Sequence, residues 1–405
     1  MRVRPKNHHK INYRGCFRIN ILNKKIGVIG GGQLGKMMIL EAKRLGLYVI
    51  TLDPSIDCPS SSISDEVIAA GFHDGDAIRR LAEKTDVITY EYEHINAGVL
   101  AELENRGHKI YPSVSSLLLI QDKFTQKTKL SDGGLNVPRF KSIETLEELQ
   151  KYADNSGFPV MLKSRKDGYD GKGNFLIREK SEIETGFNSL GGKLLMTEEF
   201  IDFLTEVSVI AVRGINGEKA VYPIACNTHR NNILDTTEVP ADLPSESLRV
   251  DILEAAERVM DIFEGVGTFG IEMFIGKNNK IYINEVAPRP HNSGHYTIEG
   301  CRANQFENHI RAITGLPLGE TKLLHNFVLM RNLLGQSNGM AKTEGTEEAY
   351  RIYNGVNIHV YGKRESKTGR KMGHYTITGD SPGQVREIDA KISGIVKITG
   401  GEIDL

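Results

Sequence analysis

Apolar and polar positions in the first third of the chain alternate with the periods of strands and helices. The pattern predicts a strand at 25–29, a glycine turn, a helix at 35–45 and a second strand at 48–53. The same order continues in further predicted elements, which are helices near 76–84 and 97–106 and strands at 86–90 and 109–111. Strands that alternate with helices in this way form an open parallel sheet.

The pattern changes after residue 113. Residues 113–135 are predicted as helices that stop at Gly133 and Gly134, and a smaller α+β segment runs from about 138 to 203. The next predicted elements are strands at 207–212, 220–226 and 270–275, a helix at 245–263, and a strand that begins at Ile281. The tail after about residue 318 is rich in strands and turns.

Two of these strands each carry a glutamate, and residues 276–280 between them predict a hairpin turn. If Asn278 and Asn279 form a two-residue turn, Glu272 lies directly opposite Glu285. Like charges paired across strands are destabilising, so we expect a cation between them. Oxygen ligands beside a polar loop favour magnesium together with a phosphate. A surface hairpin with two solvated glutamates remains the alternative.

The first glycine turn, from Gly30 to Gly35, satisfies the pattern G-x-G-x-x-G between a strand and a helix. Asp53 ends the next strand, where a dinucleotide-binding fold would place its ribose-binding acid. Glycines let the backbone approach an anion at a helix N-terminus, and such a turn can bind any phosphate group. Two alternatives stay open, a tight turn without a ligand and an Asp53 that caps a turn before Pro54.

A second glycine-rich loop, residues 168–174, follows a strand that ends at Lys163. Such a loop can close over a triphosphate while the lysine neutralises it, although glycine-rich hairpins are often only turns. It is not a Walker A motif, because G-x-x-x-x-G-K-[ST] is absent. The later strand that ends at Glu198 and Glu199 offers backbone groups to an adenine edge. Glu206 could accept hydrogen bonds from a ribose, or be a solvated strand residue.

Bulk composition describes an ordinary globular protein. The 405 residues are 39% hydrophobic and 25% charged, with a net charge of -1, which gives no reason to expect nucleic acid or a membrane as partner. No apolar run approaches the ~20 residues of a membrane span. The four cysteines have neither metal nor disulfide spacing, which fits a cytoplasmic protein.

The length predicts two or three domains. Residues 1–23 are basic without an acidic residue and are predicted to be a disordered extension or a misassigned start, with an organellar address as a minor alternative. The predicted divisions after it are a parallel-sheet domain at 24–122, a second domain at 123–317 with a small lid at about 138–203, and a strand-rich domain at 318–405.

Six ordered motifs together resemble the ATP-grasp superfamily and, within it, the 5-(carboxyamino)imidazole ribonucleotide synthase family of purine biosynthesis. They are GGGQLGKM at 30–37, YEYEH at 90–94, KFTQK at 123–127, GYDGKGN at 168–174, NTH at 227–229 and NEVAPRPHNSGH at 284–295. The resemblance covers roughly residues 25–375. It implies α/β and α+β domains, an ATP-grasp fold behind an N-terminal Rossmann-like parallel sheet and before a small strand-rich C-terminal domain.

The resemblance implies that ATP, bicarbonate and aminoimidazole ribonucleotide react through carboxyphosphate to give a carbamate, ADP and phosphate. Residues implied to bind ATP are Lys123, Lys163, Gly168, Tyr169, Asp170, Gly171, Lys172, Gly173, Asn174, Glu198, Glu199, Phe200, Ile201, Glu206, His229, Asn284 and Glu285. Residues implied to bind the ribonucleotide are Gly32, Gln33, Leu34, Glu91, Arg289, His291, Asn292, Lys363, Arg370 and Lys371. Residues implied to act in catalysis are Tyr169, Asp170, Lys172, Arg289 and His291.

The resemblance also implies two Mg²⁺ ions, held by Glu272, Glu285 and ATP oxygens, and a homodimer. Ala287 stands where many ATP-grasp enzymes have an asparagine, so metal binding rests on the two glutamates. Formate-dependent glycinamide ribonucleotide transformylase and biotin carboxylase are rival readings within the superfamily. An NAD-dependent oxidoreductase would leave Lys163 and the glutamate hairpin unexplained, and intact Glu272, Glu285 and Lys163 argue against a regulatory module that only binds nucleotide.

Overall fold

The N-terminal part of the chain folds into a parallel sheet with helices on both faces. The structure is a computed structural model that describes residues 23–166 and 173–401. The strands of this sheet are β1 (Lys25–Ile29), β2 (Tyr48–Asp53), β3 (Glu66–Ala69), β4 (Val87–Tyr90) and β5 (Lys109–Ile110). All pairs are parallel, in the order β3-β2-β1-β4-β5, which confirms the predicted open parallel sheet.

Helices between and after these strands bury apolar side chains against both faces of the sheet. They are α1 (Gln33–Arg44), α2 (Gly75–Lys84), α3 (Ala97–Asn105) and α4 (Val114–Gln121). Ile78 and Leu81 of α2 pack on one face, and Met38 and Ile39 of α1 pack on the other. The sequence pattern missed β3 because this short edge strand has no fully buried residue.

A smaller antiparallel sheet comes next in the chain. Its strands and helices, with the helix that precedes them, are α5 (Lys123–Asp132), β6 (Phe140–Ile143), α6 (Leu146–Ser156), β7 (Val160–Ser164), β8 (Asn174–Ile177), α7 (Ile183–Ser189) and β9 (Leu195–Glu199). The strand order is β6-β9-β7-β8. Leu149 and Ala153 of α6 and Ile183 of α7 pack against it. This sheet forms one wall of the cleft described below.

A large antiparallel sheet runs through the rest of the chain. The remaining elements are β10 (Phe203–Arg213), β11 (Lys219–Val221), β12 (Ala225–Arg230), β13 (Ile233–Val239), α8 (Glu246–Phe263), β14 (Gly267–Gly276), β15 (Ile281–Ala287), α9 (Thr297–Gly300), α10 (Gln305–Thr314), β16 (Phe327–Leu334), β17 (Gly339–Glu344), α11 (Thr346–Ile352), β18 (Asn357–Val360), β19 (Glu365–Ser366), β20 (Lys371–Gly379), α12 (Pro382–Ile392) and β21 (Lys397–Gly401). The large sheet has the order β15-β14-β10-β12-β13-β16-β20-β18, with β11 paired to β10. Strands β19-β17-β21 form a separate small sheet.

Several predicted bounds differ from the structure by a few residues, and two of the differences have a clear local cause. The predicted strand at 220–226 is split into β11 and β12 around Pro223, which has no N–H to give to a ladder. Helix α8 begins one residue later than predicted because Ser245 is its N-cap. The Ser245 side chain accepts a hydrogen bond from the N–H of Leu248 at 3.2 Å.

No helix in the described part of the chain is long and apolar enough to cross a membrane. The basic segment predicted as an extension lies outside the described residues, except for Asn23. The described chain therefore begins almost directly with β1.

Candidate active site

A cleft of about 1480 Å³ lies where the small sheet, the large sheet, the parallel sheet and the C-terminal strands meet. It brings together most of the residues singled out from the sequence. Those that line it are Gln33, Leu34, Glu91, Lys123, Lys163, Asn174, Glu198, Glu199, Phe200, Ile201, Glu206, His229, Glu272, Asn284, Glu285, Arg289, His291, Asn292, Lys363, Arg370 and Lys371. Gly32 and Gly173 are not among the lining residues. Gly168, Tyr169, Asp170, Gly171 and Lys172 lie outside the described residues.

The hairpin of β14 and β15 forms the floor of this cleft. Glu272 pairs directly with Glu285, as predicted. The predicted two-residue turn at Asn278 and Asn279 is wrong, however. The N–H of Gly276 donates to the carbonyl of Lys280 at 2.9 Å, so three residues form the loop. The last of them has a left-handed φ of 60°, a conformation that asparagine tolerates better than most residues.

A β-bulge at Asn284 restores the predicted pairing. Between the pairs Met273–Ile283 and Glu272–Glu285 the register shifts by one residue, which leaves Asn284 as the extra one. In a regular ladder Asn284 would lie opposite Glu272, and Glu285 would point to the other face. With the bulge, Asn284 and Glu285 both line the cleft.

Three carboxylates crowd this floor. The registers of β10 with β14 and of β14 with β15 put Glu206, Glu272 and Glu285 on one face of the sheet. Burial, reinforced by Glu272, raises the pKa of Glu206 to about 9. Burial, reinforced by Glu285, raises the pKa of Glu272 to about 7. Within the described ranges Oε1 of Glu206 is buried without a hydrogen-bond partner. The arrangement favours a bound cation.

Two lysines face these carboxylates across the cleft. The Nζ atom of Lys123 donates to Oε1 of Glu285 at 2.8 Å, and that of Lys163 donates to Oε2 of Glu198 at 2.8 Å. Burial works to lower the pKa of Lys123, but Glu285 and Glu198 outweigh it and raise this pKa. The raised pKa keeps Lys123 charged at neutral pH. Either lysine can exchange its carboxylate partner for a phosphate.

Helix α5 covers the edge of the hairpin with side chains that sequence reasoning missed. The Gln126 side-chain amide donates to the Val286 carbonyl at 3.0 Å and accepts from the Val286 N–H at 2.9 Å, as a neighbouring strand would. Lys127 donates to the Ile283 carbonyl at 3.0 Å. With Lys123 these side chains stand at i, i+3 and i+4, a spacing that places them on one helix face. That spacing in KFTQK was the available signal.

The N–H groups of the first glycine turn bind a carboxylate of the protein itself. The N–H groups of Gly32 and Gly35 each donate to the Glu91 carboxylate at 2.5 Å. A Cβ at Gly35 would lie 2.3 Å from the Gly30 carbonyl oxygen, and one at Gly32 would lie 2.4 Å from Glu91 Oε1 and displace that carboxylate, so the turn as it stands needs glycine. Asp53 accepts from the N–H of Gly31 at 2.8 Å and from that of Ser55 at 2.9 Å. It caps the turn, which was the open alternative to a ribose-binding role.

The polar loop after β15 is held by residues from other domains. Arg289 forms an ion pair with Glu93, with NH2 and Oε1 2.9 Å apart. The side chains of Asn292 and Asn332 exchange two hydrogen bonds at 3.0 and 2.7 Å. Glu93 belongs to the motif at 90–94, but neither it nor Asn332 was predicted to contact this loop, because these contacts join residues far apart in the chain. The loop is thus fixed to both the parallel sheet and strand β16.

His291, in the same loop, is oriented by a neighbour and carries no charge at neutral pH. Its Nδ1 is 2.9 Å from the Ser293 hydroxyl, and its Nε2 is 3.6 Å from Oε1 of Glu272. Burial and then the nearby Arg289 lower the pKa of His291 well below its usual value. Because Nδ1 also accepts from the Ser293 N–H at 3.4 Å, the hydrogen of the neutral ring is on Nε2, which faces Glu272.

The C-terminal strands supply basic groups to the opposite wall. Lys363 donates to the Lys371 carbonyl at 2.6 Å, and NH1 of Arg370 donates to the Glu365 carbonyl at 2.9 Å. Lys363, Arg370 and Lys371 all line the cleft. Their positive charges suit a phosphate group.

The end of β9 and the residues after it form a rim of the cleft. The Glu198 carboxylate is buried and turns towards Lys163. Glu199 pairs with Arg139 at 3.0 Å. Phe200 is 39% exposed beside the cleft. His229 Nε2 lies 3.7 Å from Glu206 Oε1 on the adjoining strands. The rim therefore combines an apolar surface with a carboxylate nearby.

Comparisons with known families cover nearly the whole chain. The model of the ribonucleotide synthetase preATP-grasp domain matches residues 23–121. The model of the ATP-grasp domain matches residues 128–306. The model of the phosphoribosylaminoimidazole carboxylase C-terminal domain matches residues 328–388.

Individual relatives agree with these matches. N5-carboxyaminoimidazole ribonucleotide synthase of Bacillus subtilis is 41% identical over 353 residues, which are 87% of this chain and 90% of the relative. The crystal structure of N5-carboxyaminoimidazole ribonucleotide synthetase from Thermotoga maritima is 43% identical with a TM-score of 0.85, over 93% of this chain and 100% of the other. An Aspergillus clavatus N5-carboxyaminoimidazole synthase, solved with ADP and 5-aminoimidazole ribonucleotide, is 33% identical with a TM-score of 0.85, over 92% and 98%.

Proposed function

The chain belongs to the family of N5-carboxyaminoimidazole ribonucleotide synthases, and from this membership we propose what each wall of its cleft does in the reaction. The protein is an ATP-grasp ligase that carboxylates 5-aminoimidazole ribonucleotide in purine biosynthesis, with ATP converted to ADP. One observation supports this assignment. Lys123 and Lys163 each contact a glutamate in the same cleft that the 289–292 loop lines.

ATP lies between the small sheet and the hairpin floor. Lys123 and Lys163 bind its phosphates, because both ammonium groups face the cleft and hold exchangeable partners there. The adenine lies against the rim of Glu199, Phe200 and Ile201, and Glu206 with His229 lies towards the ribose. The glycine loop 168–174 as a lid over the phosphates stays a prediction from the sequence.

The carboxylate floor fits magnesium. Glu272 and Glu285 face each other, and the pKa of Glu272 is raised to about 7, which a cation would reverse. Among the described residues no group of three or more histidine, cysteine, aspartate or glutamate side chains could hold a metal alone. As the family resemblance implies, two Mg²⁺ ions would share Glu272, Glu285 and ATP oxygens, beside Asn284. When bound they would neutralise charge on the transferring phosphoryl group.

The ribonucleotide lies on the other side of the floor. Gln33 and Leu34 at the start of α1 line this part of the cleft, while Gly32 is occupied by Glu91. Lys363, Arg370 and Lys371 bind its phosphate from the C-terminal wall. Arg289, His291 and Asn292 stand between the two substrates.

Bicarbonate is a poor nucleophile, so the residues act mainly by position and charge. Arg289, fixed by Glu93, holds bicarbonate against the γ-phosphate, and carboxyphosphate forms next to the ribonucleotide amine. Phosphate leaves as the C–N bond forms, and a carboxylate of the cleft accepts the proton that the amine loses. His291, oriented by Ser293, holds its Nε2 towards Glu272. A homodimer in the cytoplasm completes the proposal and rests on the family resemblance alone.

The test is ADP release with ATP and bicarbonate, measured with and without 5-aminoimidazole ribonucleotide. We expect release that depends on the ribonucleotide, with the N-carboxylated product formed in equal amount. ADP release at the same rate with and without the ribonucleotide would contradict the proposal. Activity with glycinamide ribonucleotide and formate, or with biotin, would instead favour the related ligases.

A further inference from the structure

Glu198 is a buried carboxylate with two lysine partners. Its side chain is 3% exposed. Oε2 accepts a hydrogen bond from Lys163 at 2.8 Å, and Oε1 lies 3.4 Å from Nζ of Lys127. The two ammonium groups together lower the pKa of Glu198 despite its burial. One carboxylate thus balances two cations inside the protein.

The two lysines differ in what they can reach. Lys163 lines the cleft and its side chain is 13% exposed. Lys127 is 2% exposed, is not among the lining residues, and donates to the carbonyl of Ile283 at 3.0 Å. Burial lowers the pKa of Lys127 to about 8, against the pull of Glu198, so it remains mostly charged at neutral pH. Only Lys163 can leave Glu198 for a ligand in the cleft.

We propose that Lys127 is a positioning residue that keeps Glu198 paired, and that this releases Lys163 to bind the phosphates of ATP. The inference rests on the proposed function in one respect, the role of Lys163 towards nucleotide. Removing one member of a buried ion pair leaves an uncompensated charge, which is strongly unfavourable. With Lys127 in place, Glu198 retains a partner when Lys163 turns to the nucleotide.

Lys127 also contacts strand β15, which forms part of the floor of the cleft. Ile283 precedes the bulge residue Asn284 and the carboxylate of Glu285. Lys127 therefore contacts both the partner of Lys163 and the strand that carries Glu285. Its loss should affect nucleotide binding while leaving the ribonucleotide wall intact, since no described contact joins Lys127 to that wall.

The test measures binding of ADP with magnesium by calorimetry, in the absence of bicarbonate and ribonucleotide. Lys127→Met should weaken ADP binding about tenfold or more, because Lys163 must then either stay with Glu198 or leave it unpaired. Lys127→Met/Glu198→Gln should recover most of this loss, because no buried carboxylate then competes for Lys163. A merely structural role for Lys127 would weaken binding of both ligands, so the affinity for 5-aminoimidazole ribonucleotide separates the two cases.

Lys129→Met on the exposed face of the same helix is the matched control and should bind ADP as the unaltered protein does. Affinity for 5-aminoimidazole ribonucleotide should be unchanged in Lys127→Met. A double variant no better than Lys127→Met, or equal loss of both ligands, would overturn the proposal. If Lys127→Met does not fold, Lys127→Gln takes its place with the same two measurements: a tenfold loss of ADP affinity with unchanged ribonucleotide affinity supports the idea, and unchanged ADP affinity refutes it. Failure of the carboxylation assay leaves this binding test intact.

Discussion

Single glutamates in this protein take different parts according to their partners. Glu91 accepts hydrogen bonds from two backbone N–H groups and stabilises a glycine turn. Glu198 balances buried lysines, and its pKa is lowered. Glu206 and Glu272 face other carboxylates, and their pKa values rise to about 9 and about 7. The residue type is constant, so the surrounding charges decide whether a carboxylate is structural or awaits a cation.

Glu285→Gln should lower turnover about 100-fold or more, because the amide removes a charge that stabilises the magnesium–phosphate centre. The fold should survive, since the Glu285 side chain is 46% exposed and loses only its pair with Lys123. ADP release and thermal unfolding are the measurements. Glu257→Gln on the exposed face of α8 should leave both unchanged. A near-normal rate for Glu285→Gln would refute its metal role.

Gln33→Ala should raise KM for 5-aminoimidazole ribonucleotide about tenfold, because a lost substrate hydrogen bond costs about 1.5 kcal/mol. KM for ATP should stay close to its normal value, since Gln33 belongs to the parallel-sheet wall and not to the lysine wall. Steady-state kinetics with each substrate varied in turn would measure this. Equal increases in both constants would contradict the assignment of the first glycine turn to the ribonucleotide.

His309 should make the fold sensitive to acid. The Thr268 N–H donates to its Nδ1 at 3.1 Å, its Nε2 lies 2.8 Å from the Thr89 hydroxyl, and burial lowers the pKa of His309 to about 3. Below pH ~6.5 the unfolded chain binds a proton that the folded chain excludes, so stability falls by about 1.4 kcal/mol per pH unit, and above pH ~6.5 this contribution vanishes.

His309→Gln should therefore flatten the decline of the unfolding free energy between pH 7 and pH 5. Urea unfolding at several pH values measures the slope. His73→Gln, at an exposed position, should keep the original slope. An unchanged slope in His309→Gln would show that this histidine does not exclude the proton.

At the scale of elements, periodicity predicted most strands and helices, and the hairpin of β14 and β15 shows what periodicity cannot predict. The pairing of Glu272 with Glu285 is confirmed, but for a reason the sequence could not reveal. A regular strand would place Asn284 opposite Glu272, and only the bulge brings Glu285 there. Period-2 patterns assume one residue per position, so they cannot locate a bulge. The break at Pro223 was readable in principle, because proline has no N–H.

The sequence likewise predicted some residues of the candidate site and missed others. Residues in local motifs, such as Lys163 and Arg289, were identified from the sequence and line the cleft. The partner of Arg289 was not, because Glu93 meets Arg289 only through the packing of separate domains. Contacts between distant segments depend on tertiary structure, which a single sequence pattern does not encode.

Gln126→Leu tests the cover that α5 gives to strand β15. It leaves the buried N–H and carbonyl of Val286 unpaired and should lower the free energy of unfolding by about 2–4 kcal/mol. Turnover should fall as well, because the strand carries Glu285. Urea unfolding with Gln150→Leu, at an exposed position of α6, is the comparison. Equal stability of the two variants would show that the Gln126 amide does not support the strand.

At the scale of the whole molecule, the large sheet joins the central and C-terminal parts of the chain. Strand β13 pairs with β16 and β16 with β20, so the ladder passes through the predicted boundary at 318. Asn332 on β16 binds the site loop through Asn292. The basic wall and the carboxylate floor therefore belong to one continuous framework.

Arg331→Met tests that framework. Arg331 joins Asp235 of β13, at 2.7 Å, to Asp389 of α12, at 2.6 and 2.8 Å. Loss of a partly buried arginine that leaves its carboxylates unpaired should destabilise the fold by about 3 kcal/mol or more. Arg351→Met, which removes an exposed pair with Glu347, should cost about 0.5 kcal/mol or less. Similar unfolding midpoints for the two variants would contradict a linking role for Arg331.

The bulge at Asn284 also sets what evolution can do with this strand. Loss of that one codon would leave Ile283 and Val286 on the core face and Glu285 on the cleft face, opposite Glu272 as before. Loss of the codon for Ile283 would instead push an asparagine into the core. A lineage can therefore drop or acquire this asparagine in a single step while the glutamate beside it stays in place.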